Sequence, residues 1–278
     1  MAMNPELQRR VQRYGWDHAA PYYDSSWERQ LETAQKKLLE MAALRPGEDV
    51  LDIACGSGLV TFPAARSVGS DGAVTGVDIS DGMLGLARNV AEEHGMGSVE
   101  FARMDAENLD FAPGSFDAVL CGLGLMYVPD PVRSLQEMYK VARDGGRAAV
   151  AVWGQRSSCG WAEVFPIVDR RVASDVCPMF FQLGMGRALE VAFSQAGFYD
   201  VTSERISVTL HYDSAEEACA AVFAGGPVAM AYRKFDDATR EGAHREYLDS
   251  IEPYRLGEQY RIPGEFVIAC GWKPRDGD

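Results

Sequence analysis

The sequence lacks the features that mark membrane, secreted and metal-binding proteins. None of its 278 residues lies in an apolar run approaching the roughly 18 residues that a membrane span needs. The N-terminal segment 1–15 carries charge without the apolar core of a signal peptide. The six cysteines form no CxxC pair, which argues against a zinc site and against a disulfide framework. These absences predict a cytoplasmic protein without a metal, whose thiols are reduced and mostly buried.

Positive charge is also scarce. The chain has 27 Lys and Arg against 41 Asp and Glu, a net charge of −14, and no basic cluster long enough to follow a phosphate backbone. Such a surface repels nucleic acids and anionic membranes. A hydrophobic share of 47% and a charged share of 24% are ordinary for a globular protein. The expected partner is therefore a small molecule, and nothing in the sequence fixes the oligomeric state.

Strand and helix patterns alternate along the middle of the chain. Short apolar strands are predicted at 49–54, 73–78, 98–103, 116–121 and 147–153, with helices near 59–68, 81–94 and 131–142 between them. Continuous apolar strands separated by helices are typical of a parallel sheet covered on both faces. The pattern predicts a Rossmann-like, doubly wound α/β fold.

The two ends of the chain follow other patterns. Two helices are predicted at 6–14 and 25–43. After 153 come a helical stretch near 160–173, a less regular one near 175–185, and a helix that ends at Gly197. Strands at 201–210 and 264–272 enclose a segment, 213–260, with at least two helices. The sheet is therefore expected to have seven strands and an antiparallel C-terminal edge strand, with a helical cap inserted at 213–260.

A glycine turn follows the first strand in "LDIACGSGLV". Gly56 and Gly58 allow the backbone to approach a ligand, and the next helix offers unpaired N–H groups. The full dinucleotide fingerprint is absent, because Ala54 and Thr61 stand where it has glycines. Asp52 puts a carboxylate beside the turn, which would repel a pyrophosphate and attract a cationic or amino-bearing ligand. A nicotinamide-dependent oxidoreductase is therefore disfavoured.

Acidic residues also follow the next two strands. Asp78 ends the second strand, where a carboxylate can accept both hydroxyls of a ribose. Asp105, Ala106 and Glu107 follow the third strand, where an acid and a backbone N–H could read the edge of an adenine. The carboxyl ends of parallel strands meet at one edge of a sheet, so these acids are expected to form a single ligand-sized arc.

The ordered motifs carry a family resemblance. "VLDIACGSG", "VTGVDIS", "RMDAENLDF", "FDAVLCGLGLMYVPD" and "LQEMYKVARDGGRAAVAVW" resemble the successive motifs of class I S-adenosylmethionine-dependent methyltransferases. They are most similar to the small-molecule enzymes that make ubiquinone and menaquinone. The resemblance covers about residues 45–153. It implies S-adenosylmethionine as the cofactor and S-adenosylhomocysteine as the product.

The resemblance also implies positions for the cofactor. It places Asp52, Ala54, Gly56 and Gly58 around the methionine moiety and Asp78 on the ribose hydroxyls. It further places Ile79 and Met83 near the adenine, Asp105 and Ala106 at the adenine edge, and Cys121 and Gly122 under the sulfonium. Segment 16–28 resembles the family's N-terminal lid, in which Tyr22 or Tyr23 would close over the cofactor. The alternative is that the aromatic residues of this segment only pack its helix.

The acceptor side departs from the family pattern. Many O-methyltransferases of this type have a histidine after the fourth strand, where this chain has "LMYVPD". If a base is needed, the candidates are Tyr127, His18, His211 and His244, with Tyr127 and His18 preferred. The acceptor pocket is predicted from Tyr23, Met126, Tyr127, Phe180, Phe181 and Met230, although these residues could equally be ordinary core.

The expected function follows from these observations. The chain should transfer a methyl group from S-adenosylmethionine to a small hydrophobic or aromatic acceptor, by direct in-line displacement and without a metal. The accepting atom stays open among O, N, S and C. The alternatives are a non-catalytic cofactor-binding protein and, less favoured, an NAD-dependent oxidoreductase. The expected organisation is a lid at 1–44, a cofactor-binding core at 45–153 and a C-terminal part at 154–278 that carries the cap.

Overall fold

The computed structural model describes residues 4–172 and 180–275. In the described part of the chain, helices flank both faces of one mixed sheet. The elements in chain order are α1 (Pro5–Ala42), β1 (Asp49–Ile53), α2 (Thr61–Val68), β2 (Ala73–Asp78), α3 (Asp81–Glu93), β3 (Val99–Arg103), β4 (Phe116–Gly122), α4 (Pro131–Val141), β5 (Ala142–Trp153), α5 (Val164–Asp169), α6 (Ala188–Ala196), β6 (Tyr199–Tyr212), α7 (Ala215–Phe223), α8 (Ala229–Tyr232), α9 (Asp237–Ile251), β7 (Arg255–Leu256) and β8 (Gln259–Trp272).

The sheet has the order β3-β2-β1-β4-β5-β8-β6, with the two-residue β7 paired to β8. Strands β1 to β5 are parallel, and β8 runs antiparallel to both β5 and β6. The predicted doubly wound fold with an antiparallel edge is confirmed. Two details differ. The short strand β7 adds an eighth strand, and the edge strand is β6, whereas the C-terminal strand β8 lies between β5 and β6.

The strands at the centre of the sheet are buried because helices cover both faces. All residues of β1 except Asp49 are buried, and so is β5 from Gly146 to Trp153. Apolar runs of this kind, without alternation, are what a parallel sheet between two helical layers requires. Neighbouring strands β1 and β4 lie where the strand order changes direction. A crevice for a ligand therefore opens at their carboxyl ends.

The N-terminal part differs from prediction. A single 38-residue helix, α1, replaces the two predicted helices, and it continues through Pro21. Proline inside a helix removes one hydrogen bond and crowds the preceding turn. Here tertiary contacts stabilise the helix on both sides of Pro21. Residues before it form hydrogen bonds to the start of α3, and residues after it pack into the core. Trp27, Leu31 and Leu38 are among the buried residues of that second half.

The C-terminal part agrees with prediction more closely. Helix α6 ends at Gly197, which adopts the left-handed conformation expected of a C-cap. Segment 213–260 contains α7, α8 and α9. The helical stretch predicted near 160–173 is shorter, since α5 covers Val164–Asp169, and the predicted stretch 175–185 lies partly outside the described residues. No helix in the described ranges is long and apolar enough to cross a membrane.

The cysteines are buried where they are described. Cys55, Cys121, Cys159, Cys219 and Cys270 are all free and buried. Cys177, the sixth, lies outside the described residues. Burial raises the pKa of the Cys121 thiol to about 12, because the thiolate would lose its hydration. The described thiols are therefore protonated and unreactive at neutral pH.

Arg147 joins α1 to the amino-terminal side of the sheet. Its side chain is 4% exposed, and its guanidinium donates to both oxygens of the Glu48 carboxylate, at 2.9 and 2.7 Å. It also donates to the carbonyl of Ala43 at 3.0 Å and to the carbonyl of Ala42. Arg147 thus ties the end of α1, through two carbonyls, to the segment before β1, through a bidentate ion pair with Glu48.

We expect Arg147→Met to lower the free energy of unfolding by about 3 to 5 kcal/mol, because Glu48 would be left as an uncompensated, largely buried charge. Urea denaturation followed by circular dichroism measures the change. Arg156→Met is the matched control, since Arg156 pairs with Glu163 at the surface and its loss should cost less than about 1 kcal/mol. Equal losses in both variants would contradict the role assigned to Arg147.

Candidate active site

A cavity of about 990 Å³, including its open mouth, lies at the carboxyl edge of the sheet, at the crevice between β1 and β4. Its walls come from the ends of β1 to β5, from α1, and from single residues further along the chain. The lining residues are Arg9, Gln12, Trp16, Tyr23, Trp27, Leu31, Ile53, Ala54, Gly56, Asp78, Ile79, Met83, Met104, Asp105, Ala106, Gly122, Leu123, Gly124, Tyr127, Val128, Pro129, Trp153, Trp161 and Pro227.

The two glycines of the turn after β1 have different roles. Gly56 has φ +56°, lines the cavity, and has no atom within 4 Å of the place where a Cβ would be. Gly58 has φ +96°, and a Cβ there would lie 2.3 Å from the Phe62 ring. Gly58 does not line the cavity, so the structure gives a packing reason for this glycine. Only Gly56 brings its backbone to the cavity.

Asp78 joins the turn after β1 to the turn after β2. One carboxylate oxygen accepts the backbone N–H of Gly56 at 2.9 Å, and the other accepts that of Ser80 at 2.8 Å. Burial raises the pKa of Asp78 to about 6, although these N–H donors oppose the shift. A carboxylate oxygen has two lone pairs, so each can accept one further hydrogen bond from a ligand in the cavity.

Asp52 is the most deeply buried acid of the site. It is 1% exposed, and one of its oxygens accepts the Thr61 hydroxyl at 2.6 Å. The other oxygen, Oδ1, is buried and has no hydrogen-bond partner among residues 4–172 and 180–275. Burial raises the pKa of Asp52 to about 7, and the nearby Asp78 carboxylate adds to the shift. Asp52 does not line the cavity itself, but its chain neighbours Ile53 and Ala54 do.

The acids after β3 are paired with helix α1. Arg9 of α1 contacts Asp105 at 2.7 Å through Nε and donates to Glu107 at 2.6 Å. Glu107 is buried, and its other oxygen accepts the backbone N–H of Asp130 at 3.1 Å. Asp105 and Ala106 line the cavity beside this ion pair. Arg9 thus compensates part of the negative charge of Asp105 and Glu107.

Two strained residues stand at the ends of β1 and β4. Ala54 has φ +53° and Leu123 has φ +64°, a conformation that non-glycine residues rarely adopt. Both line the cavity. Gly124, which follows Leu123, packs closely against Ala54, because a Cβ on Gly124 would lie 2.3 Å from the Cβ of Ala54. Strain of this kind costs about 1 to 3 kcal/mol and clusters at functional sites.

The first half of α1 closes the cavity through hydrogen bonds to three loops. Asp17 accepts the Ser80 hydroxyl at 2.7 Å and the Gly82 N–H at 2.9 Å. The Ser57 hydroxyl donates to Asp24 at 2.5 Å. The Gln8 side chain donates to the carbonyl of Tyr127 at 3.2 Å. These bonds hold α1 over the carboxyl ends of β1, β2 and β4.

The cavity wall beyond β4 is aromatic. The Tyr127 ring stands edge-on to Trp16 at 5.1 Å between centroids and to Phe180 at 5.3 Å. Trp153, Trp161 and Trp27 form a second group with centroid separations of 4.8 to 6.0 Å. Edge-to-face packing of this kind fixes the rings in place. The cavity therefore has an acidic half at β1 to β3 and an aromatic half at β4 and β5.

The structure brings many of the predicted site residues to this one cavity and leaves others outside it. The predicted residues that line it are Tyr23, Ala54, Gly56, Asp78, Ile79, Met83, Asp105, Ala106, Gly122 and Tyr127. The predicted residues that do not line it are His18, Tyr22, Asp52, Gly58, Cys121, Met126, Phe180, Phe181 and Met230.

The residues outside the cavity have identifiable positions. Tyr22 is half exposed and His18 contacts Arg233, both in a second, outer depression. Phe180 lies behind the wall, against Tyr127 and Trp161. His244 pairs with the Tyr232 hydroxyl at 2.9 Å, and the backbone of His211 is held by Gln30. Of the four predicted base candidates, only Tyr127 lines the cavity.

Sequence reasoning predicted a lid at 16–28 and an acceptor pocket with residues after β5, but it missed several of the residues of α1 and of the chain after β5 that line the cavity. Arg9, Gln12, Trp16 and Trp27 reach the cavity because α1 is continuous, which the two-helix prediction did not anticipate. Trp153 could have been found, since it ends a predicted parallel strand at the ligand edge. No signal in the sequence pointed to Trp161 or Pro227.

Comparisons with known proteins agree with the predicted resemblance. Residues 50–146 match a family model described as a methyltransferase domain. A demethylmenaquinone methyltransferase of Listeria welshimeri is 36% identical over 138 residues, 50% of this chain and 58% of that protein. A 2-phytyl-1,4-naphtoquinone methyltransferase of Nostoc sp. is 29% identical over 221 residues, 70% of this chain and 95% of that protein.

A solved structure shares the fold. It is that of a phosphoethanolamine N-methyltransferase of Haemonchus contortus in complex with S-adenosyl-L-methionine, with a TM-score of 0.56 and 19% identity, covering 87% of this chain and 53% of that one. The resemblance to class I S-adenosylmethionine-dependent methyltransferases is confirmed. The chain nevertheless matches little more than half the length of the Listeria relative.

The buried acids predict how stability depends on pH without a ligand. The pKa values of Asp52, about 7, and Asp78, about 6, lie above the usual value near 4, so the folded chain binds more protons than the unfolded chain between these limits. Their contribution to the free energy of unfolding is therefore full below about pH 4 and is lost as pH rises through 6 to 7.

We expect Asp52→Asn to flatten the fall of Tm between pH 5 and 8. Differential scanning calorimetry measures Tm across this pH range, and Asp71→Asn at an exposed position is the control. If Asp52→Asn left the fall of Tm with pH unchanged, the raised pKa assigned to Asp52 would be contradicted.

Proposed function

We propose that this chain, whose residues 50–146 form a methyltransferase domain, transfers the methyl group of S-adenosylmethionine to a small aromatic acceptor. The observation that carries the proposal is the division of one continuous cavity into an acidic half and an aromatic half. The acidic half suits a ligand that bears hydroxyl, amino and sulfonium groups and no phosphate. The aromatic half suits a flat, apolar acceptor.

The residues of the acidic half fit S-adenosylmethionine. Both oxygens of Asp78 have capacity left for the two ribose hydroxyls. Asp52 lies behind the lining residues Ile53 and Ala54, and its carboxylate would attract the ammonium group of the methionine end without touching it. Ile79 and Met83 offer apolar contact for the adenine, and Asp105 with Ala106 lies at its edge. The complex of the Haemonchus enzyme with S-adenosyl-L-methionine supports the same cofactor here.

The chain's own contribution to the reaction is alignment and the exclusion of water. When bound, S-adenosylmethionine would supply a methyl carbon activated by its sulfonium, to which a nucleophile of the acceptor would bond in line while S-adenosylhomocysteine is displaced. Gly122 and Gly124 bring the backbone close to the boundary between the two halves. Helix α1 covers the cavity, and the rings of Trp16 and Tyr127 wall off the acceptor. We propose that the transfer needs no metal.

The relatives suggest which acceptors to test first. Two of them are named for demethylmenaquinone and for 2-phytyl-1,4-naphtoquinone. We therefore propose a reduced naphthoquinone as the first acceptor class, with thiols, amines and simple phenols as comparison acceptors. Mass spectrometry of the product identifies the accepting atom.

The proposal includes a division of labour along the chain. Residues 1–44 act as the lid, residues 45–153 bind the cofactor, and residues 154–278 complete the sheet. The helices of segment 213–260 act as the cap over the acceptor, to which Pro227 contributes a lining residue. A cytoplasmic location stays part of the proposal.

Asp78→Asn tests the cofactor site. We expect the Kd for S-adenosylmethionine to rise about 10- to 100-fold, because a charged acceptor of two hydroxyl hydrogen bonds becomes neutral. Isothermal titration calorimetry measures the affinity, with S-adenosylhomocysteine as second ligand and NADH as negative control. Asp81→Asn is the matched control, since Asp81 is exposed, pairs with Arg13 and does not line the cavity. An unchanged Kd in Asp78→Asn would refute the ribose assignment.

Tyr127→Phe tests the acceptor half. With S-adenosylmethionine and a reduced naphthoquinone, we expect S-adenosylhomocysteine to form, and we expect the variant to lower kcat/KM for the acceptor about 10-fold through loss of the hydroxyl. The control is Tyr14→Phe on the exposed face of α1. Tight cofactor binding without turnover of any tested acceptor would instead support the non-catalytic alternative.

A further inference from the structure

The indole N–H of Trp161 is a buried polar group to which the proposed reaction assigns no role. Trp161 lines the aromatic half of the cavity and is 1% exposed. Its Nε1 is buried and has no hydrogen-bond partner in the described part of the chain. The neighbouring Trp27, also a lining residue, differs in this respect, because its Nε1 donates to the carbonyl of Gly225 at 3.0 Å.

The surroundings of Trp161 are aromatic. Its ring packs against Trp153 at 4.8 Å and against Phe165 and Phe180 at 5.7 Å. An indole nitrogen can only donate a hydrogen bond, and these neighbouring rings offer it no oxygen. A buried N–H left without an acceptor costs about 1 to 3 kcal/mol. Because Trp161 lines the cavity, a ligand bound there would lie next to its indole ring.

We propose that the Trp161 N–H donates a hydrogen bond to an oxygen of the methyl acceptor, and that it thereby selects aromatic acceptors with a carbonyl or phenolic oxygen over equally flat hydrocarbons. This inference rests on the proposed function, because it assigns the aromatic half of the cavity to the acceptor. It deepens that function by naming the residue that would recognise the oxygen.

The packing around Trp161 suits such a role. Rings on several sides hold the indole in one orientation, so little conformational entropy is lost when the hydrogen bond forms. A site that leaves a buried donor unpaired discriminates strongly against ligands that lack the matching oxygen. Apolar contact alone, which the other rings provide, would bind a quinone and a hydrocarbon of the same shape about equally well.

Binding of two matched probes tests the inference. Isothermal titration calorimetry would compare 2-methyl-1,4-naphthoquinone with 2-methylnaphthalene, which has the same ring system without oxygens. We expect the unaltered protein to bind the quinone roughly 10-fold or more tightly than the hydrocarbon. We expect Trp161→Phe to lose most of this preference while it keeps its affinity for the hydrocarbon.

Trp27→Phe is the matched control, because it makes the same chemical change at a lining residue whose N–H is already paired. It should keep the preference for the quinone. Thermal unfolding separates the two variants further. Both variants lose buried ring volume, but Trp161→Phe removes an N–H without a partner in the described residues and should lose less stability than Trp27→Phe, which leaves the Gly225 carbonyl without its donor.

The outcomes are distinct. The inference is overturned if the unaltered protein shows no preference for the quinone, or if Trp161→Phe keeps the preference. It is also overturned if both tryptophan variants lose it equally, because the effect would then come from ring packing. The probes are titrated without cofactor, so the two failures are distinguishable. A failure to bind S-adenosylmethionine would refute the proposed function and with it the identification of the ligand as a methyl acceptor, whereas absence of the Trp161-dependent preference would refute the hydrogen bond alone.

Discussion

The site depends on one topological constraint, the reversal of strand order between β1 and β4. From β1 the chain proceeds outward to β2 and β3, whereas β4 and β5 extend the sheet in the other direction. The connections that leave these two strands therefore diverge, and a crevice opens at their carboxyl ends. The chain continues from β1 into a glycine turn and from β4 into a 3₁₀ turn that ends at Tyr127. The two halves of the cavity are the consequences of this divergence.

The buried carboxylates of the acidic half lower the stability of the fold, and their hydrogen bonds and ion pairs offset part of that loss. Asp52 and Asp78 lose hydration on burial, and the fold compensates them only in part, through Thr61 and two backbone N–H groups. Arg9 compensates the acids after β3 by reaching across from α1. Helix α1 thus contributes both lining residues and compensating charge to the site. Its ion pairs are partly exposed and individually weak, whereas its second half is anchored by apolar burial around Trp27 and Leu31.

The aromatic half is assembled from residues that are distant in the sequence. Its rings come from α1, from the turn after β4, from the end of β5 and from the segment before α5, so no local stretch of sequence contains it. Ala54 and Leu123 hold strained backbone conformations where the two halves meet. Strain persists only where the surrounding structure fixes it, and here close packing between Gly124 and Ala54 does so. The backbone carbonyl and N–H groups of these residues can therefore lie close to a ligand in the cavity.

The sequence by itself determined the elements whose signals are local. Apolar strands of fixed length predicted the parallel sheet, and Asp78 and Asp105 at strand ends predicted the acidic arc, because parallel strands necessarily bring their carboxyl ends to one edge. Only the tertiary structure decided what depends on contacts distant in the chain. It joined two predicted helices through Pro21, since packing on both sides outweighs the lost hydrogen bond. It assigned Gly58 to packing against Phe62 and chose Tyr23 over Tyr22 as the residue that faces the cavity. It also placed Trp161 at the cavity, because the position of a side chain that follows the last parallel strand is set by the rings it packs against and not by its neighbours in sequence.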